Sequence, residues 1–134
     1  MTVGLLLVTH GKLGRHLLDT MVEMMSGTLP LQNDTLEVRR VQSLEAMLAQ
    51  GSKTIERLDS GAGVLILTDA FGSTPSNIAN KLAAENNARV IAGVNLPMLV
   101  RIFNYSKLSL DELAEIAVEG GQRGIVMCPR HNKQ

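Results

Sequence analysis

Two short stretches hold residues able to do chemistry. In LLLVTHGKLG, residues 5–14, an apolar run stops at Thr9-His10-Gly11 and a helical pattern follows. In TDAFGSTPSN, residues 68–77, Asp69 closes a second apolar run and Gly72-Ser73-Thr74-Pro75 leads into another helical pattern. A carboxylate bonded to one ring nitrogen of a histidine fixes the tautomer and leaves the other nitrogen with a lone pair for attack. It also stabilises the cation that forms once that nitrogen is substituted. Attack on phosphorus gives a phosphoramidate, which readily passes its phosphoryl group on. The phosphoryl oxygens need donors. Backbone N–H groups at a helix N-terminus attract anions. Ser73, Thr74 and Ser76 add hydroxyls, while Gly72 and Gly11 let the backbone approach closely.

Taken singly, each feature also fits a plain structural role. A histidine at a strand end is ordinary polar surface, an aspartate before a helix is a turn or cap residue, and Ser-Thr-Pro-Ser is a common helix start. Joint placement at neighbouring strand ends is what points to a phosphoryl site, with His10 and Asp69 as its centre. His16 lies in the first helical pattern beside apolar residues, and His131 lies near the end of the chain. No two histidines stand at metal-ligand spacing, and no GxGxxG or Walker pattern is present, so neither a metal nor a nucleotide cofactor is expected. Lys12 and Arg15 read as a solvated face, the helical methionines as core, and Cys128 as a small apolar residue.

The elements that must position His10 and Asp69 follow from periodicity. Residues 3–8 form a continuous apolar run, as in a strand buried on both faces. Leu13, Leu17, Leu18, Met21, Met24 and Met25 recur at helical spacing, and Gly27 with Pro30 ends that helix. Alternation over residues 36–41 predicts a second strand. Ser43 caps a helix carrying Leu44, Met47, Leu48, Ile55 and Leu58. A buried strand is expected over 63–68. A helix is expected with Thr74 as N-cap and Pro75 as its first residue, and a fourth strand over 89–94. NLPML reads as a loop running into a short helix near Tyr105. Ser109 and Glu112 form a capping box that opens a helix ended by Gly120-Gly121. Residues 124–128 read as a last short strand, and a polar tail begins at about residue 129. Such β/α alternation predicts one α/β domain over residues 1–134: a doubly wound, mainly parallel sheet with helices on both faces. In such sheets ligands bind beyond the carboxyl ends of the strands, where neighbouring connections leave to opposite faces. If strand 1 lies beside strand 3, His10 and Asp69 meet there.

Composition bounds the functional classes. The 134 residues are 45% hydrophobic, enough for one domain with a real core. Thirteen basic residues balance thirteen acidic ones and aromatic residues make up 2%, which argues against nucleic-acid partners. One cysteine excludes an internal disulfide framework. No apolar run is long enough for a membrane span, and no signal peptide is read at the N-terminus. A cytoplasmic protein is expected, peripheral to a membrane permease at most.

VTHG after strand 1, LTDAFGSTPSNIA after strand 3 and VIAGVNLPML after strand 4 together resemble the mannose-family enzyme IIA domain of the bacterial phosphotransferase system. The likeness runs in the same order over nearly the whole chain, and the three loops are specific only in combination. It implies a doubly wound domain with strand 1 beside strand 3. It also implies that His10 takes a phosphoryl group from the phosphorylated histidine carrier protein and passes it to a IIB component for sugar uptake. Asp69 then falls on the family's orienting aspartate and Thr74 on its hydroxyl residue before the proline. The resemblance further implies a homodimer that exchanges the last strand, residues 124–128. Well-known transporter members read Gly-Gly-Ser-Pro where this chain reads Gly72-Ser73-Thr74-Pro75; threonine keeps the hydroxyl. The chain shows no IIB sequence, so a stand-alone form with IIB on a separate chain is expected. A regulatory sensor in an incomplete relay, or a catalytically silent binding module, is the alternative.

Other folds with a polar strand 1 end fit less well. A two-component receiver needs acidic residues where Thr9-His10 stand. Histidine phosphatases need arginine in place of Thr9 and a second strand-end histidine. Small chelatases need a second histidine or a glutamate in the cleft, which TDAFGSTP does not contain.

Overall fold

The computed structural model describes residues 1–131. The strands are β1 (Gly4–His10), β2 (Asn33–Val38), β3 (Val64–Thr68) and β4 (Ala88–Ala92). The helices are α1 (Leu13–Met24), α2 (Leu44–Leu58), α3 (Thr74–Ala84), α4 (Leu96–Asn104) and α5 (Leu110–Arg123). All strand pairs are parallel, in the order β2-β1-β3-β4. β1 and β3 are therefore adjacent and central, and both are buried almost throughout.

Alternate residues of β1 and β3 feed two cores. Leu5, Leu7, Leu65 and Leu67 pack with Leu18 of α1, Leu99 and Ile102 of α4, and Leu113 of α5. Leu6, Val8, Val64 and Ile66 pack with Met47 and Ile55 of α2 and with Ile78 and Leu82 of α3. Helices α1, α4 and α5 thus cover one face, and α2 and α3 the other. Each fully buried aliphatic side chain stabilises by about 1.5–3 kcal/mol, so the continuous apolar runs of β1 and β3 hold the two layers together. After β1 the chain turns to one face and after β3 to the other. This places the topological switch point between His10 and Asp69.

Five local expectations change. β2 ends at Val38 rather than residue 41 because its partner ends: the last β1–β2 pair is His10 with Val38. Arg39 and Arg40 consequently open a loop, and Val41 is 92% exposed. β4 spans Ala88–Ala92, since Gly93 turns away at φ +99°. The N-cap of α3 is Ser73, with Thr74 as the first helical residue and Pro75 as the second, one position earlier than expected. NLPML is helix rather than loop: Asn95 caps α4, its side chain accepting from the Met98 N–H at 2.9 Å. Gly120 and Gly121 do not end α5, which runs to Arg123. They let it lie close to α4. A Cβ on Gly120 would come 2.6 Å from the Arg101 Cβ, and one on Gly121 would come 2.9 Å from the Met98 Cε.

Residues 124–128 form no strand in this chain. The last backbone bonds belong to the end of α5, with Gly124 N–H donating to Gly120 O and Ile125 N–H to Gln122 O. Beyond them Ile125, Val126 and Met127 are exposed at 76%, 70% and 95%. The polar tail expected from about residue 129 falls partly outside the described residues, which end at residue 131.

Candidate active site

β1 runs past its last pair with β3 and ends at His10, the one exposed residue of the strand. Val8 pairs with Thr68 at the end of β3, which brings the following Asp69 beside the end of β1. Asp69 Oδ2 accepts two hydrogen bonds from His10, one from the backbone N–H at 3.0 Å and one from ring Nδ1 at 2.7 Å. Its other oxygen, Oδ1, accepts from the Ala70 N–H at 3.0 Å. The carboxylate is 12% exposed and the imidazole 60%. The pair therefore has a largely covered, fixed half and an open half. Burial pushes the Asp69 carboxyl up. The backbone and ring bonds from His10 outweigh that and hold it below its ordinary range. Asp69 thus stays ionised, and the proton between the two groups belongs to Nδ1, leaving Nε2 as the unbonded ring nitrogen.

The turn behind His10 is braced by Thr9. Its buried hydroxyl oxygen accepts from the Gly14 N–H at 2.8 Å, serving the start of α1 where Lys12 offers no side-chain cap. Gly14 sits hard against the sheet: a Cβ there would lie 3.0 Å from the Leu7 Cβ and 3.2 Å from the Thr9 Oγ1. Gly11 and Gly72 have φ of +48° and +81°, and a Cβ at either would meet nothing within 4 Å. Their backbone conformation, not a crowded approach within the protein, is what suits glycine.

The four residues expected to cradle a phosphoryl group separate in the structure. The Gly11 N–H is engaged by Val38 O at 3.1 Å, joining the ends of β1 and β2. Ser73 is engaged on both sides: its hydroxyl donates to Ala70 O at 2.6 Å and accepts from the Ser76 N–H at 3.4 Å. Gly72 supplies the turn. Thr74 shares a cleft with His10, and as the first residue of α3 its N–H has no acceptor within the helix. Ser76 is buried, at 1% exposure, and is not part of that cleft. Lys12 is exposed, whereas Arg15 is engaged by Asp34 at 3.2 Å and Thr35 at 3.3 Å.

The cleft measures about 490 Å³. One wall comes from the segment between the end of β2 and the start of α2, where Arg39, Arg40 and Gln42 join the apolar Val38, Leu44 and Met47. Sequence reasoning missed this wall by extending β2 through the two arginines. A usable signal existed, because in an all-parallel sheet the loop after β2 leaves from the same edge as those after β1 and β3. The crevice then has one orienting carboxylate, one exposed imidazole, one helix N-terminus and a cationic wall. Such a set can take up a phosphoryl dianion on nitrogen.

Among the described residues, no helix is long and apolar enough to cross a membrane. The sequence model of the EIIA-man family, described as the phosphotransferase-system fructose IIA component, matches residues 4–118. The chain is 34% identical over 130 residues to the mannose-specific EIIAB component of Escherichia coli K12. That match covers 93% of this chain and only 39% of the relative. A fructose-specific EIIA component of Bacillus subtilis is 32% identical over 93 residues, covering 68% of this chain and 62% of that one. Among solved structures, the mannose/sorbose-specific IIA subunit of Enterococcus faecalis superposes with a TM-score of 0.85 over 100% of both chains. At 24% identity that likeness speaks for the fold alone. The fold, the adjacency of β1 and β3 and the extent of the family match together show that this chain belongs to the mannose-family enzyme IIA components of the phosphotransferase system.

Proposed function

We propose that this protein is a phosphoryl carrier in which His10 Nε2 takes a phosphoryl group from the phosphorylated histidine carrier protein and hands it to a IIB component. The observation that carries this reading is the 2.7 Å contact between Asp69 Oδ2 and His10 Nδ1. In the transfer, the Nε2 lone pair forms the new N–P bond while the donor's N–P bond breaks and its electron pair returns to the donor ring. The Nδ1 proton stays between His10 and Asp69, whose charge balances the imidazolium character that develops. Thr74 and the N-terminus of α3 receive the phosphoryl oxygens. The donor is already an activated phosphoramidate. The reaction is set in the cytoplasm.

The product is a phosphoramidate, labile in acid and stable in alkali, unlike a phosphoserine or an acyl phosphate. Incubation with phosphorylated carrier protein, followed by alkaline site mapping, tests the proposal. The label is expected on His10 and absent from His10→Ala. Label retained by His10→Ala, or mapped to Thr74 or Asp69, overturns the mechanism. Failure of the wild-type protein to take any label favours a silent binding module.

A homodimer is part of the same reading. β4 lies at the sheet edge with an unpaired row of backbone groups, and the exposed Ile125, Val126 and Met127 lack cover within the chain. Exchange of residues 124–128 onto a second copy satisfies both needs.

A further inference from the structure

We propose that Arg40 contacts the phosphoryl group while His10 carries it, and so is a catalytic residue supplied by the loop between β2 and α2. The inference rests on the reading of His10 as acceptor and adds a group that the histidine and aspartate alone do not provide.

The argument starts from charge. A phosphoryl group carries about −1.5 to −2 near neutral pH, and at His10 it stands next to the ionised Asp69. The N-terminus of α3 offsets only about half a unit of charge. The Ser73 hydroxyl proton is engaged by Ala70 O, and the Gly11 N–H by Val38 O. Among the residues lining the cleft, the two cations are Arg39 and Arg40. These two are not equivalent. Arg39 is paired with Glu37 at 2.6 Å, and that bond holds the Glu37 carboxyl below its usual range. Arg40 forms no ion pair among the described residues.

Backbone geometry makes the contact reachable. His10 is paired with Val38 across β1 and β2, so the loop leaves the sheet directly beside the imidazole. Arg40 is two residues past that pair and outside any helix or strand. A guanidinium presents a planar fork of donors that matches two phosphoryl oxygens. Arg40 gives up no proton in the step. It donates hydrogen bonds to the equatorial oxygens, which carry the group's charge throughout as the N–P bond to the donor breaks and the bond to Nε2 forms. Because it lines the same cleft as His10 and Thr74, the phosphoryl group rather than an acidic patch on the donor protein is its expected partner.

The test compares wild type, Arg40→Ala, Arg40→Lys and Arg39→Ala. Label transfer from phosphorylated carrier protein is measured at limiting and saturating donor, and the phosphorus-31 resonance of the phosphorylated protein is recorded. Arg40→Ala is expected to slow transfer about ten- to hundredfold at saturating donor, the scale of one charge-assisted contact, and to shift the resonance. Arg40→Lys restores part of the rate but not the wild-type resonance, since an ammonium lacks the fork. Arg39→Ala has the smaller effect. An unchanged saturating rate and resonance in Arg40→Ala overturns the proposal, including when more donor is needed for half-saturation, which assigns Arg40 to the partner surface. A wild-type protein without label at His10 overturns the acceptor reading and this one with it. Labelled wild type with an indifferent Arg40→Ala overturns this one alone.

Discussion

The carboxyl edge of the sheet and the segment after α5 treat polar and apolar groups in opposite ways. At the edge, three loops converge so that Asp69 is largely covered and doubly bonded by His10 while the imidazole stays open. After α5, three apolar side chains stand in solvent with no strand to hold them. The first region closes its hydrogen bonds within one chain; the second leaves a sheet edge and an apolar segment without cover. A site for chemistry must be preorganised before its partner arrives. Under the exchange proposal, the second region gains its partner only from another copy.

The largest expected effect separates the two regions at the first of them. Asp69→Asn retains the hydrogen-bonding shape yet presents an amide, which favours the wrong tautomer and balances no charge. Transfer to His10 is expected to fall about 10²–10⁴-fold with the fold intact, measured as labelling rate beside circular dichroism. Unchanged labelling in a folded variant removes the orienting role. The same variant has a thermodynamic signature. The Asp69 carboxyl is lower in the folded state than its ordinary 3.8, so the unfolded chain binds its proton first as pH falls. Its contribution to stability is thus full above about pH 5 and is lost as pH drops through the depressed folded value. Thermal unfolding of wild type and Asp69→Asn should differ at neutral pH and converge in acid.

The second prediction attacks the other region. Removing residues 125–134 is expected to turn a dimer into a monomer in sedimentation at micromolar concentration, while His10 is labelled at the wild-type rate. A full-length protein that already sediments as a monomer breaks the exchange proposal. Lost labelling in a folded truncation shows instead that the two regions are coupled.

The smallest effect compares two adjacent hydroxyls. Ser73→Ala removes an N-cap and should destabilise by about 1 kcal/mol with little change in transfer, whereas Thr74→Val should leave stability nearly unchanged and slow transfer. Denaturant unfolding and labelling on both variants read the contrast, and a reversed pattern moves the phosphoryl contact to Ser73.

Much of the frame was legible in the sequence for local reasons. The apolar runs of β1 and β3 announce strands buried on both faces, and Ser43 and the Ser109–Glu112 box bond to backbone groups three residues away. Such signals act within one turn and do not depend on the rest of the fold. Alternation put His10 and Asp69 at two strand ends, the family resemblance implied that those strands are neighbours, and the strand order agrees. Where the reading slipped, the deciding partner was distant in sequence. β2 stops at Val38 because β1 stops at His10. Gly120 and Gly121 look like a helix stop but meet Arg101 and Met98 of α4.

By its residues alone, this chain determined an α/β alternation, a histidine and an aspartate at two strand ends, and a helix start next to them. Those features arise from side-chain type and spacing, which every local segment carries with it. Tertiary structure decided which donors remain available: Gly11 and Ser73 are engaged by Val38 and Ala70, Thr74 lines the same cleft as His10, and Arg40 joins that cleft without an ion pair among the described residues. The physical reason is that a hydrogen-bond donor is spent or spare only with respect to its neighbours, and strand pairing, not spacing along the chain, chose those neighbours.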